Sequence, residues 1–251
     1  MRLIQYAIII LFLSACAEKK ESMLEIPKPF FLVDKTHNYT PTYEKVMAYW
    51  DTLSYLSPQV DIREFGMSDK GIPLSYVWIT ADGTSPYPDG ARSRPILLIN
   101  NAIHPGEPDG VDASMLLAYN LLTDSTQDLL KYCDIAVIPI FNIGGALNRN
   151  RHTRANQNGP IEYGFRGNAQ NLDLNRDFAK CDSRNARSFA QLIDLIDPDF
   201  YVETHVSNGA DYQYMITYLS TQEEKIGEPF SSYLRHSWTP FLNERMTSKG
   251  F

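Results

Sequence analysis

Pro95-Ile-Leu-Leu-Ile-Asn-Asn-Ala-Ile-His-Pro-Gly-Glu107 decides the fold of this chain. Its first half is a short apolar run with no polar alternation, the pattern of a strand buried on both faces. Such a strand needs helices above and below it, which points to an α/β sheet. The polar residues that follow fall just past the strand's carboxyl end, where α/β sheets present their ligands. Two of them, His104 and Glu107, are spaced so that one turn can bring both onto a single Zn²⁺ ion.

Outward from this run the two periodicities alternate. Residues 40–53 open with a capping threonine and a proline and carry apolar positions at helical spacing. Residues 60–66 and 74–80 read as strands joined by the turn Ser68-Asp-Lys-Gly71. A helix is expected over 109–122, with Val111, Met115, Ala118 and Leu122 on one face. A strand over 134–140, a helix over 182–196, strands over 200–204 and 212–218, and a largely helical stretch over 221–246 complete the pattern. This order predicts a three-layer α/β/α fold around a mixed, mostly parallel central sheet. Residues 142–175 form a long polar segment rich in glycine and arginine. A loop of that length inside a compact domain is functional or disordered.

The N-terminus speaks to the compartment. Met1-Arg2 is followed by an apolar stretch, Ile4 to Leu13, too short to span a bilayer as a mature helix. Leu13-Ser-Ala-Cys16 closes it with small residues and a cysteine. This is a signal peptide over 1–15, and Cys16 resembles the lipidated cysteine of a bacterial lipobox. The expectation is a lipoprotein of the bacterial cell envelope, facing either the periplasm or the exterior. Residues 16–37 are polar and proline-bearing and read as a lipid-anchored tether. Residues 38–251 then form one domain. A net charge of −7 and a pI near 5.2 argue against nucleic acid as a partner. Cys133 and Cys181 are the remaining cysteines. Export would allow them to pair, and sequence does not place them within or beyond bonding distance; the apolar surroundings of Cys133 make it a buried free thiol rather than a ligand.

A third ligand is placed as the first was. His205 follows the run Phe200-Tyr-Val-Glu-Thr204, so it too sits at a strand's end. Two histidines and a glutamate leave one zinc position open, as catalytic sites require. Each histidine alone reads as an ordinary hydrogen-bonded structural residue; the set reads as a metal site. Between them lies Asp173-Leu-Asn-Arg176. A guanidinium forks onto a carboxylate through two hydrogen bonds, and an adjacent amide can add a third. Arg149, Arg151, Arg154, Arg166 and Arg176 crowd one loop of an acidic protein, which suggests an anion pocket. His152 and His236 match no pattern.

The order His-x-x-Glu, then Asp-Leu-Asn-Arg, then a strand ending in His is similar to the M14 family of zinc carboxypeptidases. Gly66-Met-Ser-Asp-Lys-Gly-Ile-Pro73 resembles an early turn of that family, and Asn156-Gln-Asn-Gly-Pro160 and Thr204-His-Val-Ser-Asn-Gly-Ala-Asp-Tyr212 resemble its exported bacterial branch. The resemblance implies that His104, Glu107 and His205 hold the zinc and that Asn175 and Arg176 hold the substrate's terminal carboxylate. It makes Asp173 the partner that orients His104. It makes Arg166, seven positions before Asp173, the arginine that polarises the scissile carbonyl. Arg154 is the alternative for that role, because Arg151-His-Thr-Arg154 resembles the stretch that supplies it in longer-loop members. The implied activity is hydrolysis of a C-terminal peptide bond, on peptides or on peptidoglycan stem peptides.

The chain departs from the family pattern in three places. Asn142-Ile-Gly-Gly145 stands where the family has Asn-Pro-Asp-Gly, and His205 is followed by Val206 before Ser207. The family's general-base Glu, on a strand well beyond the third ligand, has no counterpart before Phe251. The sequence therefore reads as truncated, with an isolated fragment that binds zinc and hydrolyses poorly. Two other functions fit the same residues: a zinc-dependent deacylase of N-acyl amino acids, and a surface lipoprotein that binds peptide or glycan without turnover.

Overall fold

The computed structural model describes residues 25–36, 38–83, 94–154 and 157–251. The expected signal peptide and Cys16 lie outside the described residues. The chain divides into two compact units, up to Val206 and from Ser207 to Phe251.

The first unit is built on a five-stranded sheet. Its strands are β1 (Val60–Met67), β2 (Pro73–Ile79), β3 (Ile96–Asn100), β4 (Asp134–Ile138) and β5 (Phe200–Glu203), in the order β1-β2-β4-β3-β5. β1 pairs β2 and β2 pairs β4 antiparallel, whereas β3 pairs both β4 and β5 in parallel. The sheet is mixed, as expected of the α/β class. Helices α1 (Phe30–Val33), α2 (Tyr43–Leu56), α3 (Asp109–Thr123), α4 (Ile143–Leu147) and α5 (Arg184–Ile196) accompany it.

Strand alternation explains why both faces are covered. From β2, Val77 and Ile79 enter one core cluster, while Leu74, Tyr76 and Trp78 enter the other. From β4, Ile135 and Val137 divide from Ala136 and Ile138 in the same way. The first cluster is closed by Val46, Trp50 and Leu53 of α2 and by Val111, Met115, Ala118 and Leu121 of α3. The second is closed by Phe189, Leu192 and Ile196 of α5. A fully buried side chain of this size contributes about 1.5–3 kcal/mol, so the α2 triad alone is a substantial part of the unit's stability. Thr42 caps α2 by accepting from the Lys45 backbone N–H, and Ser183 caps α5 by accepting from that of Ala186.

Residues 25–36, read from composition as tether, lie against the first cluster. Ile26, Phe30 and Phe31 pack on it, and the Tyr49 hydroxyl donates to the Pro27 carbonyl at 3.1 Å. Cys133 and Cys181 are both half-buried free thiols.

β3 is where the topology turns. The chain leaves it through α3 to β4 on one side, and returns through α5 to β5 on the other. That reversal opens a crevice at the carboxyl ends of the parallel strands.

The second unit carries helices α6 (Glu223–Ile226), α7 (Phe230–Tyr233) and α8 (Thr239–Ser248), with a π-helical turn at Leu234–Trp238. The expected helical stretch is thus present but broken at Gly227 and Pro229. The strand expected over 212–218 is absent: those residues form no ladder and their side chains are exposed. Their apolar alternation satisfies strand propensity, but among the described residues no strand pairs with them. Among the described residues no helix is long and apolar enough to cross a membrane.

Candidate metal centre

β3 does not end at Asn100 in its hydrogen bonding. Asn101 N–H donates to the Ile138 carbonyl, and Phe141 and Asn142 N–H donate back to the carbonyls of Asn101 and Ala102. This pairing holds Ala102 in the left-handed region at φ 53°, a conformation that L-residues reach only when their surroundings impose it. The chain turns there, and His104 and Glu107 follow, 2% and 3% exposed. Glu107 N–H closes the turn onto the His104 carbonyl at 2.9 Å.

β5 delivers the third residue. Thr204 N–H bonds the Asn100 carbonyl, extending the parallel pairing by one step, and His205 comes next. The donor atoms of His104, Glu107 and His205 all lie within 4.8 Å of one another. The Glu107 carboxylate is the hub. Its Oε1 is 3.2 Å from His104 Nδ1, and its Oε2 is 2.8 Å from His205 Nδ1. Val206 N–H donates to the same Oε2 at 3.1 Å.

Asp173 sits on the far side of the His104 ring, with Oδ1 2.9 Å from Nε2. An ionised carboxylate only accepts, so Nε2 carries a proton toward Asp173. Nδ1 and Glu107 Oε1, 3.2 Å apart, then share either a proton or a cation. That donor set, two imidazole nitrogens and a buried carboxylate, fits Zn²⁺ in both atom type and number.

The electrostatics agree. Burial alone would raise the Glu107 carboxyl, but hydrogen bonds from His104 and His205 outweigh it and hold the group well below the usual range. Asp173 is also held low, because His104 and Arg166 overcome its partial burial. His205 is pushed up to about 9 by its bonds to Glu107 and then Glu203, whose Oε1 lies 3.2 Å from Nε2.

The arginines separate. Arg166 donates from Nε to Asp173 Oδ2 at 3.0 Å and holds its NH1 3.3 Å from His104 Nδ1. Arg154 donates from NH1 to Glu107 Oε1 at 2.9 Å. The Asn175 amide is 3.3 Å from His205 Nε2, and Arg176, exposed, donates to the Asn175 carbonyl at 2.7 Å. Arg149 does not join the expected anion pocket. Its guanidinium is bound to the carbonyls of Pro41, Thr40 and Glu162 and pins the long loop to the start of α2.

Three contributors were not legible beforehand. The Val206 contact is a backbone group with no residue signal. Glu203 is the last residue of β5, two positions before His205, a spacing that in extended chain puts both on one face. Asn142 is fully buried. Its amide donates to the Ile103 and Arg166 carbonyls at 3.3 and 3.0 Å, and its Oδ1 accepts from Gly145 N–H at 2.8 Å. It thus ties the loop bearing His104 to the backbone of Arg166.

A zinc carboxypeptidase family model matches residues 46–198, and the chain belongs to that family. The metallo-carboxypeptidase of Burkholderia cenocepacia superposes with a TM-score of 0.53 at 19% identity, over 73% of this chain and 47% of that one. Carboxypeptidase A of Helicoverpa armigera gives a TM-score of 0.52 at 22% identity, over 67% of this chain and 46% of the other. The Pseudomonas aeruginosa metallo-carboxypeptidase in complex with (2-guanidinoethylmercapto)succinic acid gives 0.50 at 19%, over 67% and 40%. These likenesses establish the fold, and the chain spans less than half the length of each of the three structures. No curated protein sequence matches it.

Proposed function

We propose that this chain carries the metal-binding part of a zinc carboxypeptidase that hydrolyses a C-terminal peptide bond. The observation that carries the proposal is the convergence of His104, Glu107 and His205 from two strand ends, with all donor atoms within 4.8 Å. Zinc bound there would supply Lewis acidity and lower the pKa of a water toward about 7.

The chain's own residues do the rest. Asp173 fixes the tautomer of His104, and Val206 N–H and Arg154 hold the two oxygens of Glu107. Arg166, 40% exposed and anchored by its Nε on Asp173, turns NH1 toward the same centre and is the donor for a polarised carbonyl. Asn175 and Arg176 bind the terminal carboxylate, which restricts cleavage to the last residue. No glutamate of the second unit is assigned a role as general base; Glu223 pairs with Arg235, and Glu228 accepts from Ser231.

A substrate with a free C-terminal carboxylate, whether peptide or peptidoglycan stem, and anchoring of an envelope lipoprotein through Cys16 belong to the same proposal. The test is a zinc titration of the whole chain with activity measured in parallel. One equivalent of tightly bound zinc, lost in His104→Ala, supports the metal centre. Binding of a free-carboxylate peptide but not its amidated form supports the carboxypeptidase polarity over a deacylase. Peptide binding that is equal with zinc and in chelator, with no hydrolysis, would favour the non-catalytic binding protein instead.

A further inference from the structure

Arg154 is seated differently from every other arginine of the long loop. Its side chain is 9% exposed, against 40% for Arg166. Besides its bond to Glu107, its Nε donates to Gln157 Oε1 at 2.7 Å, and its backbone N–H donates to the Tyr163 hydroxyl at 3.0 Å. The stem crosses the metal loop at Gly106. A Cβ there would lie 2.7 Å from Arg154 Cδ and 3.0 Å from the Gly164 carbonyl. The loop therefore lacks a side chain at the point where the arginine passes. A guanidinium that grips substrate must be reachable and able to reorient; this one is buried and bonded at two of its nitrogens, with its backbone held as well.

We propose that Arg154 is a positioning residue for Glu107, and that Arg166 rather than Arg154 is the arginine left free to meet a carbonyl at the metal centre. The inference rests on the metal-centre reading above. A carboxylate turns broadly about its last torsion, so a glutamate ligand needs a donor on each oxygen to hold its plane. Arg154 occupies Oε1 and Val206 N–H occupies Oε2. Without Arg154 the group is left to pivot about Oε2, away from the orientation in which it meets both histidines. Partners that orient metal ligands typically contribute about 10–100-fold in metal affinity. The opposing effect is repulsion between the guanidinium and a bound cation. The two effects have opposite signs, so one measurement separates them.

The test measures zinc affinity of the whole chain by competition with a chromophoric chelator. Arg154→Met is expected to weaken zinc by about 10–100-fold, and Arg154→Lys, which keeps the charge but loses the fork, by less. Gln157→Leu, which loosens the arginine without touching the metal ligands, is expected to weaken zinc in the wild type and to do nothing further in Arg154→Met. A merely structural role would not produce that dependence. Equal or tighter zinc in a folded Arg154→Met overturns the proposal, as does a Gln157→Leu effect that is the same in both backgrounds. If Arg154→Met does not fold, Gln157→Leu decides alone: unchanged zinc affinity with an unchanged circular dichroism spectrum overturns the proposal. A wild type that binds no zinc refutes the metal-centre reading and this inference together, whereas a zinc-binding wild type with an indifferent Arg154 refutes only the latter.

Discussion

Gly110→Ala tests whether the spacing between α3 and the end of β5 sets the metal site. Gly110 is the second residue of α3, and a methyl there would lie 2.1 Å from Thr204 Oγ1, 2.3 Å from its Cβ and 2.7 Å from its Cγ2. Carbon contacts are comfortable at about 3.5–4.0 Å, so one of the two segments must retreat by roughly 1 Å or more. A rotamer change cannot relieve this, because Thr204 Cβ is itself one of the clashing atoms. The retreat also strains the bond from Thr204 Oγ1 to Asn101 Oδ1 at 2.9 Å, behind which Asn101 is held by Ser114. Alanine gains up to about 1 kcal/mol in helix propensity. Overpacking costs about 1–3 kcal/mol and the weakened buried hydrogen bond about 0.5–1.5 kcal/mol. The steric terms win, for a net loss of about 1–3 kcal/mol. At this size each kcal/mol lowers the melting midpoint by about 2–4 °C. The functional effect should be larger than the stability effect suggests, because His205 is the residue after Thr204. Zinc affinity is expected to fall at least about tenfold, the scale on which misplaced metal-ligand geometry is felt. Thermal melts and a zinc titration measure both, and Thr204→Gly in the same chain is expected to restore binding. A Gly110→Ala chain that melts at or above the wild type and keeps its zinc would refute the reasoning.

Asp112 gives a pH signature. Burial, with the charge of Asp109 behind it, pushes its carboxyl from an ordinary value near 3.8 up to about 7. The folded chain therefore binds this proton more tightly than the unfolded one, and the stability it contributes is complete below pH 4 and lost as pH rises through 7. The full effect is at most about 4 kcal/mol, of which the positive end of α3 takes back up to about 1. Asp112→Asn should remove it, so urea midpoints of variant and wild type should agree near pH 4 and diverge by pH 8, with the variant more stable. Asn142→Ala should cost about 2–4 kcal/mol in urea unfolding, since it strands the buried Ile103 carbonyl and Gly145 N–H and the partly buried Arg166 carbonyl. Arg176→Ala should weaken a free-carboxylate peptide by about 10–100-fold in calorimetry, the worth of a charged hydrogen bond of about 1.5–3 kcal/mol, and leave the amidated peptide unchanged.

What was legible followed from how locally each feature is encoded. β3, Ile96–Asn100, is legible because its unbroken apolar run is bounded by Pro95 on one side and by the polar pair Asn100-Asn101 on the other. His104 and Glu107 came with it, since their spacing is fixed within one turn. His205 was placed by the same logic at a second strand end. The misreadings concern partners rather than propensities. Residues 212–218 alternate as a strand should but join no ladder among the described residues. Ile26, Phe30 and Phe31 sit among prolines and charges that read as linker, yet each has an apolar surface to cover. In both cases the deciding quantity was what lay across from the segment, which periodicity along the chain does not encode.

The two arginines show that limit at the site itself. Arg154 and Arg166 come from one irregular loop, where separation in sequence carries no fixed separation in space. Matching by spacing weighed them for the same role. Their environments make them opposites: one is buried over Gly106 with its head on Glu107, the other is open, with Asp173 holding its base. The difference originates in a missing Cβ on the metal loop and in an asparagine, Asn142, that fixes where the Arg166 backbone runs. Neither residue is a ligand or an acid, so no search for chemistry along the chain would have selected them. The assignment of roles in this centre thus depends on small and amide residues that position the charged ones. Variants of Gly106 and Asn142 should therefore disturb the site as surely as variants of the histidines.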